Sequence, residues 1–183
     1  MLTSDTSDDI DISNTMLATI DSSTVNSDGA VTVSASNYDD GSGDRMSITA
    51  IGVAVGVAAG GAGGVSVNVA GAGVLAFNTI TTGVEASIVN STNIITAVGD
   101  ITVEAVSSAE ILSELLAVTI SAGGAGAVSV NVAISATYAE NTIGGSLLAT
   151  IDNSNITTSA GSVIVDAFAD NMINAFGQSV GIS

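Results

Sequence analysis

Eleven residues of this chain occur twice. Gly60-Gly61-Ala62-Gly63-Gly64-Val65-Ser66-Val67-Asn68-Val69-Ala70 returns 63 positions later as Gly123-Gly124-Ala125-Gly126-Ala127-Val128-Ser129-Val130-Asn131-Val132-Ala133, with ten of the eleven identical. The match runs without a gap to Ile88 and Ile151 and holds 16 identities in 29 positions. A repeat of this size constrains the fold before any local motif does. One unit alone cannot bury its apolar face, whereas stacked equivalent units can.

Weaker copies extend the pattern. Thr19-Ile20-Asp21-Ser22-Ser23-Thr24-Val25 precedes Asp28-Gly29-Ala30-Val31-Thr32-Val33-Ser34-Ala35. Ser87-Ile88-Val89-Asn90-Ser91-Thr92 precedes Gly99-Asp100-Ile101-Thr102-Val103-Glu104-Ala105, and Thr150-Ile151-Asp152-Asn153-Ser154-Asn155-Ile156 precedes Gly161-Ser162-Val163-Ile164-Val165-Asp166-Ala167. Each reads as a short strand, a glycine turn and a strand of strict apolar/polar alternation. A longer strand follows, ending in Val55-Gly56-Val57, Val118-Thr119-Ile120 or Val180-Gly181-Ile182. Its period of two predicts that these apolar residues face the core.

Units near 18–86, 87–149 and a truncated 150–183 give about two and a half repeats of roughly 63 residues. The acidic, polar segment 1–17 is expected to be poorly ordered. Asn37 to Arg45 is an insertion in the first unit, rich in Asp and Gly, and reads as an exposed loop.

Gly52, Gly56, Gly60 and Gly64 fall every fourth residue in a stretch without charge, as in packed transmembrane helices. The second copy has Leu115, Thr119, Gly123 and Ala127 at those places, and it carries Glu110 and Glu114. Alternation survives in both copies and the four-spacing does not. A membrane-inserted glycine-zipper segment is therefore the weaker alternative.

Stacking such units strand over strand gives an all-β chain, a parallel β-solenoid with strands of neighbouring layers about 4.8 Å apart. A wide coil of one turn per 63 residues suits the uneven spacing of the Val-x-Val triplets better than three narrow ones. Asn68 then lies beside Asn131 and Asn78 beside Asn141. Stacked amides hydrogen-bond along such a column, so these four are expected to form a structural ladder rather than a ligand-binding row.

The Ala-x-Ile-x-x-Ser and Gly-x-Val-x-Val-x-Ala elements, joined to Gly-Gly-Ala-Gly-x-Val-Ser-Val-Asn-Val-Ala, resemble the repeats of giant bacterial surface proteins of the filamentous-haemagglutinin-like and leukotoxin-type adhesin families. The resemblance covers residues 18–183. It implies a secreted, extracellular or cell-surface fibre acting as a stalk or adhesive surface, with host or surface glycans and proteins as possible partners. It carries over no catalytic or binding residue.

Eighteen acidic residues face one basic residue, Arg45, for a net charge of −17. Such a chain repels phosphate, which argues against nucleic acid and against anionic membrane surfaces. Without His, Cys or Lys it lacks the usual bases and nucleophiles. Carboxylate pairs such as Asp166 with Asp170 or Glu110 with Glu114 remain for glycosidic chemistry. Charges of this kind on strands are usually solvated, and no enzyme is expected. No cofactor is expected apart from calcium. Asp39, Asp40 and Asp44, spaced by Gly and Ser42, offer hard oxygen ligands, and the alternative function is a calcium-dependent extracellular binding module. Uncapped stack ends are expected to pair with neighbouring repeats of a longer array or to associate end to end.

Overall fold

The computed structural model describes residues 3–37, 45–96, 98–125 and 128–183, with side chains from residue 9 onward except at Ala62 and Ala125. It is an all-β, parallel β-solenoid. Ten strands follow in order: β1 (Thr3–Asp21), β2 (Thr24–Ser27), β3 (Val31–Ser36), β4 (Met46–Ala62), β5 (Val65–Val89), β6 (Asn93–Thr96), β7 (Ile101–Ala125), β8 (Val128–Asp152), β9 (Ile156–Thr158) and β10 (Val163–Ile182). The chain makes three turns. Each has a long strand, a short strand, and a long return path, which in the first turn is split into β3 and β4.

Three parallel sheets result: β1-β5-β8, β2-β6-β9, and a third in which β7 lies between β10 on one side and β3 and β4 on the other. We call them the A, B and C sheets. The long A and C sheets face each other, and the short B sheet closes one end of the flattened coil. The glycine-rich turns close the other. The 63-residue period is the pairing register itself. Val65 to Val89 pairs with Val128 to Asp152, and Met46 to Ala62 pairs with Ala109 to Ala125, each without a slip. The wide coil is therefore the one adopted.

The first turn is offset differently. Thr3 to Asp21 pairs with Gly71 to Val89, and Val31 to Ser36 pairs with Ile101 to Val106. Residues 3–17, set apart by their composition, run as the front of β1, and with them the array makes three turns of the coil. The physical reason lies in alternation. Ile10, Ile12, Met16, Ala18 and Ile20 are all partly buried against the core, while the Asp and Ser residues between them point to solvent.

The core changes character along the coil. Next to the B sheet it is built from Val31, Val33, Val84, Ile88, Ile94, Ile101 and Val103. Towards the glycine turns it shrinks to Ala50, Ala54, Ala72, Ala76 and Ala117 around Val74 and Leu115. The two long sheets must converge there, and Gly56 is where they meet. A Cβ on Gly56 would overlap the Gly71 carbonyl. The four-spaced Gly52, Gly56 and Gly60 are thus inward positions of strand β4, and the described residues contain no helix.

The same geometry reverses one expectation. The inward phase is fixed by Ile48 and Ala50 on β4 and by Ile101, Val103 and Ile111 on β7. Neither strand slips, so the phase carries through to Gly56 and Thr119. Val55, Val57, Val118 and Ile120 therefore point out of the coil and not into its core. Val65 and Val67 point out likewise, with Ser66 and Asn68 inside. The narrowing interior admits only small side chains, so the larger ones occupy the outside.

At the corner between the A and B sheets three residues adopt the left-handed conformation: Ser22 at φ 50°, Asn90 at φ 52° and Asn153 at φ 45°. They occupy the same place in successive turns, and two of the three are Asn, the side chain that tolerates this region best after Gly. The Asn153 amide donates to Asn90 (2.9 Å), and the Asn90 amide donates to Asp21 (3.3 Å).

Candidate functional site

The four asparagines form two ladders inside the coil. Asn68 Nδ2 donates to Asn131 Oδ1 at 3.0 Å, and Asn78 Nδ2 donates to Asn141 Oδ1 at 2.7 Å. Ser113 crosses from the C sheet to join the second ladder. Its hydroxyl donates to Asn141 Oδ1 (2.8 Å) and accepts from Asn78 Nδ2 (2.9 Å). Asn78 is 1% exposed and Ser113 fully buried. The amides bind one another within the A sheet, with Ser113 joining from the C sheet; Asn68 and Asn78 are buried, and Asn131 and Asn141 on the outer turn are partly buried. The first ladder also explains the glycine motif, because a Cβ on Gly123 would overlap the Asn68 amide and one on Gly60 the Asn68 Oδ1. The repeated Gly and the repeated Asn eight residues on are two halves of one packing arrangement.

The second ladder stops at the first turn. The residue beside Asn78 on β1 is Ile10, which has no polar group, and Asn78 Oδ1 finds no hydrogen-bond partner among the described residues. A buried acceptor of this kind is costly and uncommon.

Asp39, Asp40 and Asp44 fall in segment 38–44, outside the described residues. Both flanks of the segment are pinned. Asn37 Oδ1 accepts from the Ser108 backbone N–H at 2.6 Å. Arg45 reaches across the middle turn to the third, where its guanidinium pairs with the Asp170 carboxylate at 2.6 Å. Ser108 Oγ also donates to the Asp170 carbonyl. The single basic residue thus ties the first turn to the third. Among the described residues no three acidic side chains cluster to hold a metal ion.

The carboxylate pairs weighed for chemistry are dispersed along the outer face of the C sheet. Glu110 lies beside Met172, Glu114 beside Phe176, Asp166 beside Glu104 and Asp170 beside Ser108. Asp170 is engaged by Arg45, which leaves Asp166 and Glu104 as like-charged neighbours about 4.8 Å apart across the ladder.

The outside of the coil is divided. Towards the glycine turns, the C sheet presents Ile51, Val53, Val55 and Val57 on β4, then Leu116, Val118 and Ile120 on β7, then Phe176 and Ile182 on β10. Ile51 is 68% exposed, and Glu114 is the one charge in this field. The A sheet presents Val65, Val67, Val128, Val130 and Ile134 at the same end. Further along the A sheet, Phe77 and Tyr138 meet across turns as a tilted pair with ring centres 5.8 Å apart. The Tyr138 hydroxyl donates to the Glu140 carboxylate at 3.1 Å. That bond, with the carboxylate's charge, raises the phenol above its ordinary pKa. Sequence reasoning missed this apolar field because it assigned the valines to the core.

No protein-family model, curated protein or solved structure matches this chain.

Proposed function

We propose that this chain is a structural segment of a secreted or surface-attached bacterial fibre or adhesin, a stalk whose flat sides present a repeated surface to host or surface glycans and proteins. The observation that carries the reading is continuity of register. Twenty-five consecutive residues of β5 pair with β8, and seventeen of β4 with β7, at one fixed offset. Each added unit lengthens such a column by about 4.8 Å and leaves its sides unchanged, which is the physical requirement for a stalk. The net charge of −17 keeps so apolar a surface dispersed in water. Interior amides paired with one another, with carboxylates dispersed along the outside, favour a structural role over a catalytic one.

The test is location. Antibody raised against this segment should label intact cells of the source organism, and protease added to intact cells should remove the label. Labelling that appears only after permeabilisation would overturn the proposal.

A further inference from the structure

Among the described residues, the outer edges of the first and third turns match one another. Val31 and Val163 both pair with Ile101. Ile48 and Ile173 both pair with Ile111, and Ile20 and Ile151 both pair with Ile88. The inward columns of the outer turns therefore carry matching side chains at these positions. A third turn set against the first turn of another copy repeats the parallel pairing already present inside the chain. Turning the second copy over makes the strands antiparallel and breaks these columns.

Area favours this face over the flat sides. The strands that limit the contact, β1 of 19 residues and β10 of 20, span about 65 Å, and sheets pack about 10 Å apart, so an end covers roughly 650 Å² per partner, within the range of stable interfaces. The apolar field on the C sheet, three strands wide and about eight residues long, covers roughly 400 Å².

Charge opposes the contact. Asp9 and Glu140 both flank Phe77, and Asp21 and Asp152 both flank Val89, all on the outer surface. Inside one chain the middle turn separates the members of each pair. Across a junction they would stand side by side at about 4.8 Å.

We infer that the chain polymerises head to tail, third turn on the first turn of a second copy, and that the two carboxylate pairs hold assembly back until salt screens them. Such a heterologous contact does not close on itself and gives open filaments. The inference rests on the fold and not on the proposed function. A monomer would leave the surface-fibre reading standing, and an intracellular location would leave assembly standing.

Sedimentation velocity of the 183-residue chain between about 0.01 M and about 1 M NaCl provides the test. The expected result is association that grows with protein concentration and with salt. Glu140→Lys should strengthen association at low salt by about tenfold or more, since it turns a repulsion with Asp9 into an attraction. Glu114→Lys changes the net charge equally but sits on the middle turn, and should not match it. Ile173→Lys, an edge charge in the inward column, should abolish assembly with the far-UV circular dichroism unchanged. Phe176→Lys, on the outer face, should leave it intact. A monomer at the highest salt, an equal response to the two Glu→Lys variants, or loss of assembly in Phe176→Lys but not in Ile173→Lys would each overturn the inference. The two Glu→Lys variants alter exposed side chains and decide the matter even if Ile173→Lys does not fold.

Discussion

Replacing Asn141 with Ala should be the most informative change in the interior. Asn141 Oδ1 accepts two hydrogen bonds, from Asn78 Nδ2 at 2.7 Å and Ser113 Oγ at 2.8 Å. Both donors are buried, and Ala offers neither an acceptor. An unsatisfied buried group costs about 1–3 kcal/mol, so the loss should come to about 2–4 kcal/mol after the Ser113 hydroxyl turns to whatever acceptor it can reach. For a chain of this size that corresponds to a fall in Tm of roughly 5–15 °C. Asn131→Ala removes one acceptor, serving the single 3.0 Å bond from Asn68 near the glycine turn, and should cost about 1 kcal/mol. Urea unfolding followed by far-UV circular dichroism gives both values. A double-mutant cycle of Asn78→Ala with Asn141→Ala should show a coupling of about 1 kcal/mol or more. If Asn141→Ala costs no more than Asn131→Ala, or if the cycle is additive, the buried ladder does not exist as described.

Three further outcomes follow from single positions. Ile10→Asn places an amide beside the orphan Asn78 Oδ1, so it should be milder than Ile12→Asn, one inward position further along β1, by about 1–3 kcal/mol in urea unfolding. Gly123→Ala should destabilise by about 1–3 kcal/mol because its Cβ meets the Asn68 amide, whereas Gly124→Ala, with nothing within 4 Å, should stay within about 0.5 kcal/mol in the same assay. In a Tyr38→Phe background, absorbance titration should find Tyr138 ionising above the ordinary phenol range, and Glu140→Gln should bring it down. The sign follows from the neutral phenol being the form that donates to Glu140. Whatever this exposed pair adds to stability is present below the unfolded-state pKa and is lost as pH rises through the raised one.

The fold was legible where two copies agree. The identity between Asn68-Val69-Ala70 and Asn131-Val132-Ala133 fixes an offset, and in a stacked coil an offset is a hydrogen-bond register. The first turn was harder to see. Its strand β1 shares little with β5 beyond the closing Ala-x-Ile, and the insertion after Ser36 shifts the pairing offset between β3 and β4. Its Asp and Ser content signalled a loose tail, while the alternate positions Ile10 and Ile12 carried the strand. Alternation also leaves a two-fold choice of face. Val55 and Val57 look like core residues until the interior near Gly56 proves too narrow to hold them. That narrowing is a property of two sheets meeting and is invisible in either strand alone. The ladders were legible as columns, but the contribution of Ser113 was not, because it comes from the opposite sheet at no fixed spacing from either asparagine.

The parallel register has a mechanical side. Every turn is held to the next by backbone hydrogen-bond ladders in all three sheets, and among the described residues little but Arg45 spans more than one interval. Pulled at its two ends, such a column gives way at an outermost turn, which is laddered on one side instead of two. A freed turn of 63 residues yields about 200 Å of slack chain for the loss of about 5 Å of height. Load is then absorbed in large, equal steps while the remaining turns keep their shape. Such a column, pulled this way, lengthens turn by turn rather than all at once.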